Sequence, residues 1–92
     1  MNKAELITSM AEKSGLTKKD AENALNAFMK SVEEALIESD KVQLVGFGTF
    51  DVRERKARLG RNPRNPEEVI EIPASKAPVF KAGKALKELV NK

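Results

Sequence analysis

From Arg53 to Glu68 this 92-residue chain carries almost no apolar side chains, although apolar residues recur regularly on both sides of the stretch. One alanine, one leucine and two prolines are its only apolar residues. A segment without an apolar face gains little by joining a hydrophobic core, so it is expected to run outside the folded body. Turn-forming residues lie between Gly60 and Pro66. The sequence therefore predicts two strands that leave the body near Phe50, turn in this region and return as an arm.

The N-terminal part has the spacing of two amphipathic helices. Asn2 is a favourable N-cap, with Glu5 three residues later. Gly15 is a C-terminal stop signal, and Thr17 can start a second helix. The apolar residues of that second helix recur every three or four positions, at Ala21, Leu25, Phe28, Val32 and Leu36. We therefore predict a helical hairpin over residues 1–39.

After residue 40 the apolar period changes to the alternation of half-buried strands. Val42 and Leu44 form one alternating segment, and Phe50 and Val52 form the next. Between them, Gly46-Phe47-Gly48 predicts a tight connection in which glycine permits a positive φ or a close backbone approach. Apolar residues resume at Val69, and a final amphipathic segment follows Gly83. We predict an α+β fold in a single domain, 1–92, with a sheet over 40–82, an arm over about 53–74 and a C-terminal helix over 83–92.

Composition excludes several classes of function. The chain has no cysteine and no histidine, which removes disulfides, thiolate chemistry, Ser-His catalysis and histidine-based metal sites. No acidic pair stands in a recognisable catalytic site, so we expect no enzyme activity, no metal and no cofactor. No segment has the length and hydrophobicity of a signal peptide or a membrane span, and we expect the protein to stay in the cytoplasm. Four phenylalanines are the only aromatic residues, a thin core for a monomer, which makes oligomerisation plausible.

The positive charge is concentrated in one short segment. Residues 1–52 carry six Lys/Arg and nine Asp/Glu, whereas residues 53–64 carry six Lys/Arg and one Glu. Arginine pairs with phosphate oxygens through a planar fork and remains charged at all relevant pH values. The arginines of this segment are Arg53, Arg55, Arg58, Arg61 and Arg64. We interpret them as the binding site for a polyanion, in preference to a solvated charged loop.

Three further groups are candidates for the same site. Pro63 is either a turn former or an apolar wedge that inserts between base pairs. Asn62 and Asn65 either contact a groove edge or cap the turn. Lysines elsewhere are singly ordinary surface residues, but together they could extend a phosphate-binding track: Lys3, Lys76, Lys81, Lys84 and Lys87. Gly60 is assigned to the arm turn, as Gly46 and Gly48 are to the body turn.

These residues resemble the HU / integration host factor family of bacterial histone-like proteins. The resemblance runs essentially from end to end, and its most specific part is Gly46-Phe47-Gly48-Thr49-Phe50 followed ten residues later by Gly60-Arg61-Asn62-Pro63. Ile70-Glu71-Ile72-Pro73-Ala74 and the segment from Phe80 to Lys87 complete it.

The resemblance, which is nearest to HU, implies an architecture and a partner. It implies an intertwined dimer with a helical base, a saddle of three antiparallel strands from each chain and two protruding arms. The arms would embrace double-stranded DNA in the minor groove, with Pro63 as the intercalating residue. The family binds with little sequence preference, favours bent, nicked or gapped DNA and compacts the nucleoid. Alternatives are a site-specific bender like integration host factor and, in a different class, a protein-interaction module.

One departure from the family lies at the arm tip. The family commonly has Thr-Gly where this chain has Asn65-Pro66. The change removes a glycine suited to positive φ and adds a residue whose φ is fixed near −65°. We expect Pro66 to stiffen the tip and not to act as a second wedge.

Overall fold

The structure is a computed structural model that describes all residues, 1–92. It contains three helices and five strands. In chain order these are α1 (Lys3–Ser14), α2 (Lys18–Ile37), β1 (Val42–Leu44), β2 (Gly48–Arg55), β3 (Arg58–Asn62), β4 (Asn65–Ile72), β5 (Ser75–Ala82) and α3 (Lys84–Val90). The predicted α+β class and the order of its parts are confirmed.

The caps of the helical hairpin are those that the sequence predicts. Asn2 Oδ1 accepts a hydrogen bond from Glu5 N at 2.9 Å, and Thr17 Oγ1 accepts one from Asp20 N at 3.1 Å. Gly15 ends α1 in the left-handed region with a φ of 76°, and its N–H donates to Ala11 O. Because Gly15 ends α1 and Thr17 begins α2 only two residues later, the connection is short and α2 packs back against α1.

The body of the molecule is a three-stranded antiparallel sheet in the order β1-β2-β5. Phe50 pairs with Phe80 and Val52 with Pro78, and these pairs share one face of the sheet. That face packs on α2, where the Phe28 ring lies edge-on to the Phe50 ring with centroids 6.1 Å apart. We call it the inner face. The opposite, outer face is free of helices.

The phenylalanines form one continuous cluster at the centre of the body. Phe28 contacts Phe50, Phe50 lies 4.9 Å from Phe80 and Phe80 lies 5.6 Å from Phe47, measured between ring centroids. Aromatic pairs at these separations add about 0.5–1.5 kcal/mol each beyond their buried area. The cluster therefore joins α2, both long strands and the turn before β2.

The arm is a separate two-stranded sheet formed by β3 and β4. The body ladder continues as far as Arg55↔Ser75, and the arm ladder begins at Arg58↔Ile72. Neither strand is paired between these points, and Pro73 has no N–H to donate there. The prediction that the arm begins near residue 53 is therefore wrong by several residues, because Arg53 and Arg55 still belong to the body sheet.

Two of the three glycines assigned to turns lie in strands instead. Gly46 is in the turn before β2 with a φ of 84°, as predicted. Gly48 is the first residue of β2, where an added Cβ would lie 2.7 Å from the backbone oxygen of Lys81. Gly60 is within β3, where a Cβ would lie 2.9 Å from Ile72 Cδ1. Close approach of the Lys81 backbone explains glycine at position 48, whereas at position 60 the nearest atom is the flexible end of Ile72, and neither glycine has a positive φ.

Most apolar side chains of the body remain in contact with solvent. Only three of the 92 residues are buried, and none of the four phenylalanines is among them. The Phe47 side chain is 47% exposed and that of Phe80 is 42% exposed. An apolar cavity of about 640 Å³ also opens between the end of α2 and the β2–β5 hairpin, lined in part by Leu36, Ile37 and Val52. A single chain therefore leaves its core open on one side.

The chain is extended as well as open. It measures 61 × 32 × 26 Å, with a radius of gyration of 19.2 Å, whereas a compact domain of this length has a radius near 12 Å. None of the three helices has the run of apolar residues needed to cross a lipid bilayer.

Candidate nucleic-acid interface

The outer face of the body sheet gathers three of the predicted cations. Arg53 and Arg55 are two residues apart on β2, so they lie on the same face, and Lys81 of β5 lies on that face near the other end. All three side chains are exposed. The face is available to bind a partner because the core occupies only the inner face.

One acidic residue shares this face with the cations. Asp51 Oδ2 lies 3.6 Å from Lys81 Nζ, and this is the chain's one ion pair. Asp51 Oδ1 also accepts a hydrogen bond from Val52 N at 2.8 Å, which orients the carboxylate. Lys81 is therefore partly neutralised, whereas the two arginines of the face are not.

Lys76 does not join the outer face, contrary to the track that the sequence suggested. It pairs with Glu54 and shares the inner face with Phe50 and Val52. Its ammonium group donates a hydrogen bond of 2.7 Å to Ser39 Oγ, just beyond the end of α2. Side chains alternate along a strand, so a lysine five positions from Lys81 must point to the opposite side.

The arm presents cations on both of its faces. Arg58 lies on the face that carries Gly60, Ile70 and Ile72, whereas Arg61 lies on the other face, beside Val69. Both arginines are exposed and neither forms an ion pair. A ribbon charged on both faces can contact the two walls of a groove at once.

The arm also has more apolar surface than the sequence indicated. Ile72 lies over Gly60 on one face, and Leu59, 74% exposed, stands on the other. The prediction of an arm without an apolar face is therefore wrong, because cross-strand pairing brings apolar residues of β4 onto the faces of the arm. Residues separated by more than ten positions in the chain share a face only after the hairpin has formed.

The tip of the arm is a two-residue turn, Pro63-Arg64, between paired Asn62 and Asn65. Asn62 Oδ1 accepts a hydrogen bond from Arg64 N at 3.0 Å, and Asn62 Nδ2 donates one to Glu68 Oε2 at 3.1 Å. Asn62 thus caps the turn, which is one of its two predicted roles, and its contact with a groove edge stays a prediction. Pro63 and Arg64 are both exposed at the far end of the arm.

Pro66 lies beside the tip and not within it. The register shifts between Arg61↔Val69 and Asn62↔Asn65, so the residues Pro66, Glu67 and Glu68 of β4 have no partner in β3. A proline is tolerated in a bulge because it removes no ladder hydrogen bond there. This position fits the predicted stiffening of the tip better than a second wedge.

The remaining predicted lysines lie on the helices. Lys3 is the first residue of α1, and Lys84 and Lys87 lie three residues apart on α3. All three are exposed, and no ion pair involves them. The structure thus leaves them free but does not bring them into contact with the outer-face cations.

Lys56 was not among the predicted site residues. It lies in the unpaired segment between the body sheet and the arm, together with Ala57 on one strand and Pro73-Ala74 on the other. We call these four residues the hinge. The sequence signal was present, since Pro73 cannot donate to a ladder opposite this lysine.

Comparisons with known proteins agree with this architecture. The model of the family described as bacterial DNA-binding protein matches residues 1–91. The DNA-binding protein HU of Clostridium pasteurianum is 73% identical over 92 residues, which are 100% of both chains. The DNA-binding protein HU of Geobacillus stearothermophilus is 63% identical over 90 residues, 98% of this chain and 99% of that protein.

A solved structure has the same fold. Anabaena HU, in a cocrystal with DNA, superimposes with a TM-score of 0.85 at 52% sequence identity, and the match covers 98% of this chain and 97% of that one. The two chains thus share their fold over almost their whole length. The chain belongs to the bacterial DNA-binding protein family, within which it is similar to the HU proteins.

Proposed function

We propose that this protein is an architectural DNA-binding protein that binds duplex DNA with little sequence preference, bends it and compacts the nucleoid. The main support for this proposal is the set of exposed arginines. Five arginines are exposed along the outer face of the body sheet and the arm, and none forms an ion pair within the chain. They are Arg53, Arg55, Arg58, Arg61 and Arg64.

Phosphate neutralisation supplies most of the binding free energy in this proposal. Each cation that contacts a phosphate releases counterions from DNA, which is favourable at low salt and independent of sequence. The outer face would contact the backbone on one side of the duplex. The relatives' names support the same partner, because the similar proteins are DNA-binding protein HU and one was crystallised with DNA.

The arm would enter the minor groove. Its arginines on opposite faces suit a narrow groove with phosphates on both walls. Pro63 at the tip would insert between base pairs, since its ring is apolar and rigid. Unstacking a base step costs a few kcal/mol, offset by the additional contacts that bent DNA makes with the protein. Bent, nicked or gapped DNA would bind better because less unstacking remains to be done.

The functional unit would be a homodimer. The half-exposed phenylalanines and the apolar cavity beside α2 form a surface that a second copy could cover. Monomeric proteins rarely leave contiguous apolar patches of this kind open. We expect an unfolding temperature that rises with protein concentration, because dissociation accompanies unfolding. A midpoint that is constant over a hundredfold dilution series would contradict the dimer.

Salt and sequence dependence test the leading function against its alternatives. We expect affinity, measured by fluorescence anisotropy, to fall steeply with salt and to change little when a duplex sequence is scrambled. Strong preference for one duplex would favour a site-specific bender like integration host factor. Loss of all bound nucleic acid at low salt would favour a protein-interaction module. We propose no catalytic activity, no cofactor and no membrane association, and we place the protein in the cytoplasm on the nucleoid.

The wedge has its own test. Pro63→Ala keeps the charge of the tip but removes the rigid ring, so it should reduce the DNA bend more than the affinity. Fluorescence energy transfer between the ends of a duplex measures the bend. Arg64→Gln is the matched control, since it removes a tip charge and should lower affinity while preserving the wedge. Equal bending by the Pro63 variant and the unmodified protein would leave the proline as a turn former only.

A further inference from the structure

The hinge between the two sheets forms a concave surface. The ladder stops at Arg55↔Ser75 and resumes at Arg58↔Ile72, with Lys56-Ala57 and Pro73-Ala74 unpaired between them. A cavity of about 350 Å³ opens at this break. Its lining consists of Arg55, Lys56, Arg58, Ile72, Pro73 and Ser75. A second cavity of about 370 Å³ shares Arg55, Lys56 and Ser75 with it and is also lined by Glu54.

The charge of the first cavity is entirely positive. Arg55, Lys56 and Arg58 line it, no acidic residue does, and none of the three forms an ion pair. Three cations around one concavity repel each other unless an anion lies between them. The site is therefore electrostatically suited to an anion carrying more than one negative charge or to one unit of a polyanion.

Neutral hydrogen-bond donors surround the same cavity. The peptide N–H group of Lys56 donates to no acceptor within the chain, and the Ser75 hydroxyl forms no hydrogen bond either. Cations, a peptide donor and a hydroxyl together are a combination that binds phosphate oxygens.

We propose that the hinge is a phosphate-binding site, which holds either one phosphodiester of the DNA backbone or a phosphate group of a free oligophosphate. The inference rests on the proposed function for its DNA source and goes further by assigning a role to Lys56 and Ser75. A phosphate bound at the hinge contacts residues from both sheets. It therefore fixes the angle between arm and body at the moment of DNA binding.

The first experiment uses tripolyphosphate as the probe. Amide resonances of Lys56, Ala57 and Ala74 should shift on titration in two-dimensional NMR spectra of the full chain, and the shifts should be lost in Lys56→Gln/Ser75→Ala. Both substituted side chains are exposed, so the double variant should keep the unfolding temperature of the unmodified protein. Lys18→Gln, an exposed change on α2, is the matched charge control and should keep the shifts.

The second experiment measures duplex affinity as a function of salt concentration. If DNA supplies the phosphate, Lys56→Gln/Ser75→Ala should weaken binding roughly five- to tenfold and lower the salt slope by roughly 0.9 for each hinge. An unchanged slope with tripolyphosphate shifts present would support the site and assign it to free oligophosphate. Unchanged slope and no shifts would overturn the proposal.

A third variant separates this inference from the proposed function. Arg61→Gln/Arg64→Gln removes arm cations outside the hinge cavity. If these changes weaken DNA binding while the hinge variant alters neither slope nor shifts, the hinge site fails and DNA binding by the arm stands. If neither variant affects duplex affinity, the proposed function fails, and the hinge site fails as well when the tripolyphosphate shifts are absent.

Discussion

The two antiparallel sheets of this chain carry similar cations but hold them in different ways. In the body sheet the inner face packs on α2 through Phe50, so Arg53 and Arg55 are confined to the outer face. In the arm neither face meets a helix, and Arg58 and Arg61 point to opposite sides. Burying one face of a sheet therefore concentrates charge on the other. A free ribbon distributes charge around itself, which suits a surface in one case and a groove in the other.

The same contrast applies to rigidity. The body sheet is anchored by a cluster of four aromatic rings, whereas two strands alone are marginally stable in water. The hinge interrupts the ladder between them, so the arm receives no support from the body strands. Stability and DNA binding should therefore respond to different substitutions.

Removal of the arm should have the largest effect on binding and little effect on the fold. Because Arg55 pairs with Ser75, a two-residue Asn-Gly turn can replace residues 56–74 and close the β2–β5 hairpin. We expect duplex affinity to fall about 100-fold or more, which is about 2.7 kcal/mol. Fluorescence anisotropy measures the affinity, and circular dichroism should show helices that unfold at nearly the original temperature. Full affinity in the shortened chain would remove the arm from the interface.

A pair of matched glycine substitutions should separate the two sheets by stability. In Gly48→Ala the new Cβ would lie 2.5 Å from Phe80 Cζ and 2.7 Å from Lys81 O, so packed atoms must move. We expect a loss of about 2 kcal/mol in the free energy of unfolding. In Gly60→Ala the closest atom is the flexible end of Ile72, and the change should stay within about 0.5 kcal/mol. Urea unfolding measures both, and equal losses would contradict the independence of the arm.

A smaller gain in duplex affinity is predicted for a change at the acidic residue on the outer face. Asp51→Asn removes the charge that competes with phosphate for Lys81 but keeps the acceptor for Val52 N. We expect tighter duplex binding by up to about fivefold, since an exposed ion pair contributes about 1 kcal/mol at most. The gain should disappear in a Lys81→Gln background. A gain that persists there would come from the general loss of negative charge and not from this pair.

Local features of the sequence predicted the elements well and their faces less well. Asn2, Gly15 and Thr17 act within one or two helical turns, and the structure confirms the helix ends that they predict. Lys76 and Gly60 were misplaced because their surroundings depend on residues far away in the chain. The face of Lys76 follows from its pairing with Glu54, and the environment of Gly60 follows from Ile72 on the returning strand.

The sequence by itself determined the class of the fold, the existence of an arm and the concentration of arginine in the arm and the strand that leads to it. Those properties depend on local periodicity, caps and composition, all of which act between near neighbours. Only the tertiary structure decided which cations share a surface, where the ladder breaks and how Asn62 is used at the tip. Cross-strand register sets these relations, and it emerges only when distant segments pair and one face of the sheet is committed to the core.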